Sequence, residues 1–197
     1  MTVFRVGMKL RTVGPSRGGL QQFVPVLHRW IQRALVDGPL VDVVDYSHVS
    51  RGPGVVLVAF DANYSIGLSD GCLGVVWSRK RPTGSTLEDT LVLGAKKVVA
   101  LCAELEAETE LEGRLVFDGS VVRIFSNDRL LAPNTAVTEE QWCPALKGVA
   151  RAFWGECELA IERVSCDPRE RFCVDLSAGR SASVRELGAR LECHTPE

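Results

Sequence analysis

Two stretches of the chain concentrate side chains that could hold or transform a ligand. The first is Ser47–Gly54 (SHVSRGPG). His48 could act as a general base near neutral pH. Arg51 could clamp an anion. Gly52 and Gly54, on either side of Pro53, would let a bound group come close to the backbone. The second stretch is Ser126–Thr135, where Asn127, Asp128 and Arg129 leave a strand together. Arg129 would be a second anion clamp. Together His48, Arg51, Gly52, Gly54, Asn127, Asp128 and Arg129 would suit a small anionic ligand, provided that folding brings the two stretches together.

Each of these residues also has a plainer reading. Asn and Asp are ordinary turn formers that bond their own backbone. Arg51-Gly52-Pro53-Gly54 makes a rigid bend whatever lies beside it. Asp61, Asn63 and Tyr64 follow the strand after the bend, and six strand residues would put them roughly 20 Å from it. Arg79-Lys80-Arg81 could hold a phosphate, although such runs are usually solvated loops. Gly14-Pro15-Ser16-Arg17-Gly18-Gly19 is a loop without the spacing of a phosphate-binding motif. His28 lies beside the apolar face of a helix, and His194 next to Cys193 in a polar terminus.

The elements that must position these residues can be read from periodicity. Val3–Thr12 alternates Phe4, Val6, Met8 and Leu10 with Arg5, Lys9 and Arg11, which predicts a half-exposed strand at a sheet edge. A helix is predicted over Val24–Val36, with Pro25 in its first turn. Three strands follow: Leu40–Tyr46, Val55–Phe60 and Leu73–Ser78. Val55–Phe60 is apolar throughout and predicts a strand covered on both faces. Ser85 with Glu88 reads as a capping box opening the longest helix, which is expected to end near Glu112-Gly113. Leu115–Phe117 and Val121–Phe125 flank Asp118-Gly119-Ser120 as a hairpin. Thr138 with Gln141 reads as the cap of a third helix, ended by Gly155. Cys157–Val164 and Arg171–Leu176 are strands, and Ser183 with Glu186 caps a short last helix.

This order, β-α-βββ-α-ββ-α-ββ-α, predicts an α+β fold: a mostly antiparallel sheet of about seven or eight strands with three main helices packed on it. Residues 1–177 would form a single domain, and 178–197 a short C-terminal helix and polar tail.

Composition narrows the function classes. The chain has 197 residues, 46% hydrophobic and 24% charged, as expected of an ordinary globular domain. A net charge of −2 argues against nucleic acid as partner. Charges interrupt the first residues, so no secretory leader is expected, and no run is long enough to span a membrane. The seven cysteines form no CxxC pair. They read as reduced core thiols in a cytoplasmic protein, with no zinc site.

The blocks His28–Gln32 (HRWIQ), Asp45–Val49 (DYSHV), Gly52–Val58 (GPGVVLV) and Asn127–Asn134 (NDRLLAPN) resemble those of an uncharacterised bacterial protein family. The resemblance covers roughly residues 20–177. It implies bacterial origin and a single domain, and it supplies no activity, substrate or cofactor.

The expectation is therefore a non-enzymatic binding or assembly module without cofactor or metal, acting as a homodimer or with a protein partner. Some of Trp30, Trp77, Trp142 and Trp154 would then serve the interface. The alternative is a small-molecule-binding protein or enzyme that takes an anion at a site around His48, Arg51 and Arg129.

Overall fold

The structure, a computed structural model, describes residues 3–14, 18–35, 39–82, 84–111 and 113–193. Eight antiparallel strands form one sheet: β1 (Val6–Arg11), β2 (Leu40–Asp45), β3 (Val55–Ala59), β4 (Ala62–Gly67), β5 (Gly74–Arg79), β6 (Val121–Ser126), β7 (Leu159–Arg163) and β8 (Cys173–Ala178). Their spatial order is β2-β3-β4-β5-β1-β6-β8-β7. Four helices, α1 (Phe23–Gln32), α2 (Leu87–Ala107), α3 (Ala136–Trp154) and α4 (Val184–Cys193), lie on one face. The fold is α+β, as the periodicity predicts.

Strand alternation builds that covered face. Val6, Met8 and Leu10 of β1, Val122 and Ile124 of β6, and Val174 and Leu176 of β8 are buried in one core with all four helices. Trp77 of β5 sits against α2, where a Cβ on Gly94 would fall 2.5 Å from its ring. Only a glycine lets the helix come this close. All four tryptophans belong to this core, each at most 3% exposed. The expectation that some of them serve a surface interface is corrected accordingly. Large flat rings fill the space between helix and sheet, where they bury the most area.

The element order is β-α-ββββ-α-β-α-ββ-α, which moves one strand relative to the expectation. Ala62–Gly67 (ANYSIG) is a strand, not part of a link. Ala62, Tyr64 and Ile66 face the helices, while Asn63 and Ser65 face away. Its weak β propensity hides this period of two. Conversely, Leu115–Phe117 makes no hairpin, and Phe117 forms a single bridge to Thr12. The Asp118 carboxylate accepts from the Ser120 N–H and hydroxyl, closing a local turn. Gly119 is required there because a Cβ would lie 2.0 Å from the Ala182 carbonyl oxygen.

β1 is central, between β5 and β6, not at an edge. Its alternation of apolar and basic residues is real, but a charge network described below covers the basic side. β3 is covered by helices on one face only; Val56 and Val58 face the other way.

Two of the three caps lie one and three residues from the expected positions. Thr86 with Asp89, not Ser85 with Glu88, forms the capping box of α2. Thr135, not Thr138, caps α3. Ser183 and Glu186 cap α4 as expected. The predicted helix stop at Asp37-Gly38-Pro39 and the 14–19 loop lie in part outside the described residues, and His194 lies wholly outside them. Val184, Leu187 and Leu191 of α4 join the common core, and Arg190 donates to the Trp154 carbonyl at the end of α3 (3.2 Å). The seven cysteines are free thiols, but only Cys102 and Cys173 are buried, so they are not core thiols as a group. No helix among the described residues is long and apolar enough to cross a membrane.

Candidate functional site: the open face of the sheet

The face opposite the helices carries the alternate residues of the same strands. Lys9 and Arg11 of β1, Arg123 of β6 and Asp175 of β8 stand side by side, since Lys9 pairs with Arg123 and Arg123 with Asp175 in the strand register. Two like charges side by side would repel. Asp70, on the loop joining β4 to β5, relieves this by folding over the face. Its carboxylate accepts from Lys9 Nζ, from Arg11 Nε (3.2 Å) and from Arg123 Nη1 (2.9 Å). Arg123 meanwhile grips Asp175 with a two-pronged fork, Nε and Nη2 donating at 2.7 and 2.8 Å, and Arg11 Nη2 reaches the same carboxylate at 3.2 Å.

Small residues make room for this arrangement. Gly74 lies under the Lys9 stem, where a Cβ would sit 2.5 Å from Cε. Lys9 is therefore only 2% exposed, and its ammonium also donates to the Cys72 carbonyl (2.7 Å). Burial lowers the Lys9 pKa, against the opposing pull of the Asp70 hydrogen bond and charge. For Asp70 and Asp175, burial works to raise the pKa; Lys9, Arg11 and Arg123 outweigh it at Asp70, and Arg123 and Arg11 at Asp175, so both carboxyls lie below their ordinary value.

Next to the network is a second arrangement. Gly7 is a glycine because the Phe125 ring lies across it, 2.3 Å from where a Cβ would be. The Arg171 guanidinium stacks on that ring, 3.7 Å from its centroid, and donates to Asn127 Oδ1 (3.2 Å). Asn127 in turn donates to the Ser78 hydroxyl (2.9 Å). Ring and amide fix the plane of the guanidinium, which suits two-pronged recognition of a carboxylate.

These groups line one cavity of about 660 Å3. Lys9, Arg51, Arg123 and Arg171 stand in its wall against the one carboxylate of Asp70, with Val56, Val58, Val76 and Phe125 as apolar floor. Among the described residues, neither Arg51 nor Arg171 has a carboxylate partner. Asn63 also lines the cavity, and its buried Oδ1 has no hydrogen-bond partner there. Beside it, Tyr46, Val49, Leu68 and Arg51 border a smaller cavity of about 200 Å3. Tyr46, Val49 and Leu68 are 41%, 44% and 44% exposed.

The residues read from sequence divide between these places. Arg51 and Asn127 both line the large cavity, from the bend before β3 and from the end of β6, with β4, β5 and β1 between those strands. Gly52 and Gly54 line the smaller cavity. Gly54 has a φ of 81°, and its Cβ would lie 2.1 Å from the Ile66 carbonyl oxygen, so the close approach it permits is to β4 itself. His48 is exposed on the turn and lines neither cavity. The Asp128 carboxylate accepts from the Leu130 and Leu131 N–H groups (3.3 and 3.1 Å), a turn-forming role. Arg129 is exposed and outside both cavities. The Arg79–Arg81 run does not converge on a ligand: Arg79 is buried and bonds the Arg81 carbonyl, while Arg81 stacks on Phe60.

The sequence reading did not single out Lys9, Asp70, Arg123, Arg171 or Asp175 as site residues. A signal does exist for three of them. Met8-Lys9-Leu10, Val122-Arg123-Ile124 and Val174-Asp175-Leu176 each set one charge between two core residues of a strand. A charge so placed must find a partner on the opposite face. Among the described residues no His, Cys, Asp and Glu cluster could hold a metal ion. No family model, curated protein or solved structure matches the chain.

Proposed function

We propose that the protein is a non-enzymatic binding module that takes an acidic protein partner on the open face of its sheet. The observation that carries this reading is the charge of the large cavity, four cations against one carboxylate, in a chain whose net charge is −2. Such a local surplus steers and orients an anionic partner. The exposed cluster of Tyr46, Val49 and Leu68 beside the cavity adds the apolar contact that protein interfaces combine with arginine and tyrosine. His48, the general base expected from sequence, stands apart from this cavity, which favours binding over turnover.

A second reading, a small anionic ligand, is favoured by the cavity volume of about 660 Å3, within the usual range for small-molecule sites. Native mass spectrometry of the protein purified from its host at low salt separates the two. The expected result is a protein complex that is lost in the Arg51→Glu/Arg171→Glu variant and released by salt. A bound small mass would favour the second reading. A complex unchanged in the double variant would defeat both.

A further inference from the structure

The loop joining β4 to β5, residues 68–73, crosses the open face as a strap. Leu68, Ser69, Asp70, Gly71 and Cys72 are exposed as residues, and only Leu73 is buried. What ties the crossing to the sheet is the Asp70 side chain, bonded by Lys9, Arg11 and Arg123, with the Cys72 carbonyl on the same ammonium. Gly71 has a φ of 84°, a conformation that glycine takes without strain, and a Cβ there would meet nothing within 4 Å. Polar contacts therefore hold down residues 68–72, while Leu73 anchors the end of the strap in the core.

We infer that Lys9, Arg11 and Arg123 form a carboxylate-binding subsite that Asp70 occupies from within the chain, and that an acidic side chain of the partner takes its place on binding. The inference rests on the open-face reading above and specifies how that face is regulated. The geometry of the subsite is that of a bound carboxylate: both oxygens are engaged, by donors from two adjacent strands. Asp70 cannot simply leave, because Lys9 Nζ is almost wholly buried and an unpaired ammonium there would be costly. An incoming carboxylate removes that cost. Opening of the strap is thus coupled to arrival of an anion, while Arg171 and Arg51, which have no carboxylate partner among the described residues, make the first contact.

The test uses a hexaglutamate peptide as probe, with the full chain, in titration calorimetry and hydrogen–deuterium exchange. Asp70→Asn removes the internal anion and keeps the side-chain shape. The expected result is binding about tenfold tighter than wild type, as removal of a competing state requires. Arg171→Glu should weaken binding in either background. Because Asp70→Asn could also loosen the fold, the second readout uses the wild type alone: saturating peptide should speed amide exchange at residues 69–72. Unchanged exchange there, or no gain in Asp70→Asn, with Arg171→Glu still weakening binding, overturns the exchange of carboxylates and leaves the open-face reading standing. Binding that is indifferent to Arg171→Glu, or absent in wild type and variant alike, removes both.

Discussion

The two faces of the sheet are made from alternate residues of the same strands, yet different forces hold them. On one face Met8, Leu10, Ile124 and Leu176 vanish under the helices, and burial of apolar area provides the stability. On the other, at neighbouring positions of the same strands, Lys9, Arg123 and Asp175 point away from the helices, and ion pairs provide the order. The helix face needs nothing from outside. The open face is satisfied by Asp175 from within the sheet and by Asp70 from a loop, and even so Arg51 and Arg171 have no carboxylate partner among the described residues. A face that keeps unspent cations beside an apolar floor is suited to a partner; a face of interlocked Leu, Ile and Trp is suited to hold the fold.

The widest gap between the faces should appear on truncating Trp77. It is 1% exposed and fitted against Gly94 of α2. Trp77→Ala is expected to cost about 3–5 kcal/mol, since removal of a buried ring leaves a cavity that the rigid surroundings fill only in part. Urea unfolding measures it, and the loss should be the same at low and high salt. A loss below about 1 kcal/mol would show that helix and sheet are not held together as the burial implies.

Asp70→Asn strikes the other face. Lys9 would keep its burial and lose its counter-ion, and a cost of about 2–3 kcal/mol is expected, somewhat under that of a fully buried pair because Asp70 retains 20% exposure. Salt should narrow the gap between variant and wild type, since screening weakens the half-exposed pairs that the wild type relies on. A variant as stable as wild type at low salt would mean that the strap is held by something other than its carboxylate.

How legible these faces were in the sequence differs in the same way. The helix face follows from periodicity, so the class of fold and the places of the four helices could be read, although α2 stops at Ala107 and not near Glu112-Gly113 as expected. The open face depends on pairings between residues far apart in the chain: Lys9 with Asp70, Arg123 with Asp175, Asn127 with Arg171. No local pattern records them. Arg51 and Asn127 were legible because glycine, proline and asparagine mark sharp turns, and turns at strand ends border a sheet face. His48, Asp128 and Arg129 share those turns but not that face: a side chain beside a bend can point anywhere the backbone takes it. Ala62–Gly67 was missed as a strand because its outward residues are Asn63 and Ser65, chosen for the open face and not for β propensity.

Acid should separate the faces next. Asp70 and Asp175 have folded-state pKa values lowered from the ordinary carboxylate value. Their contribution is therefore fully present above the unfolded-state pKa of about 3.9, and it is lost as the pH falls through the lower folded-state values. Wild-type stability should be flat from neutral pH to about pH 5 and decline below about pH 4. In Asp70→Asn part of that decline should disappear, because one of the carboxyls with a lowered value is gone. Thermal unfolding across that range checks it, and identical acid profiles for the two proteins would remove Asp70 from the account.

The smallest effect on stability belongs to the residue on which binding leans most. Arg171 stacks on Phe125 and bonds Asn127, and it lies on the open face with no carboxylate to lose. Arg171→Ala forfeits one exposed cation–π contact and one hydrogen bond, an expected cost of under about 1 kcal/mol. Arg171→Lys should be as mild, because the charge and most of the stem remain. Affinity for an acidic partner is expected to respond differently. Both variants should bind more weakly, Ala more than Lys, because lysine keeps the charge but cannot offer the planar two-pronged donor that Phe125 and Asn127 hold in place. Lysine that binds as well as arginine would reduce the site to bulk charge and deprive the Phe125 platform of a role. A large stability loss in Arg171→Ala would erase the division of labour between the faces, since a residue that secures the fold cannot be varied to test what the fold presents.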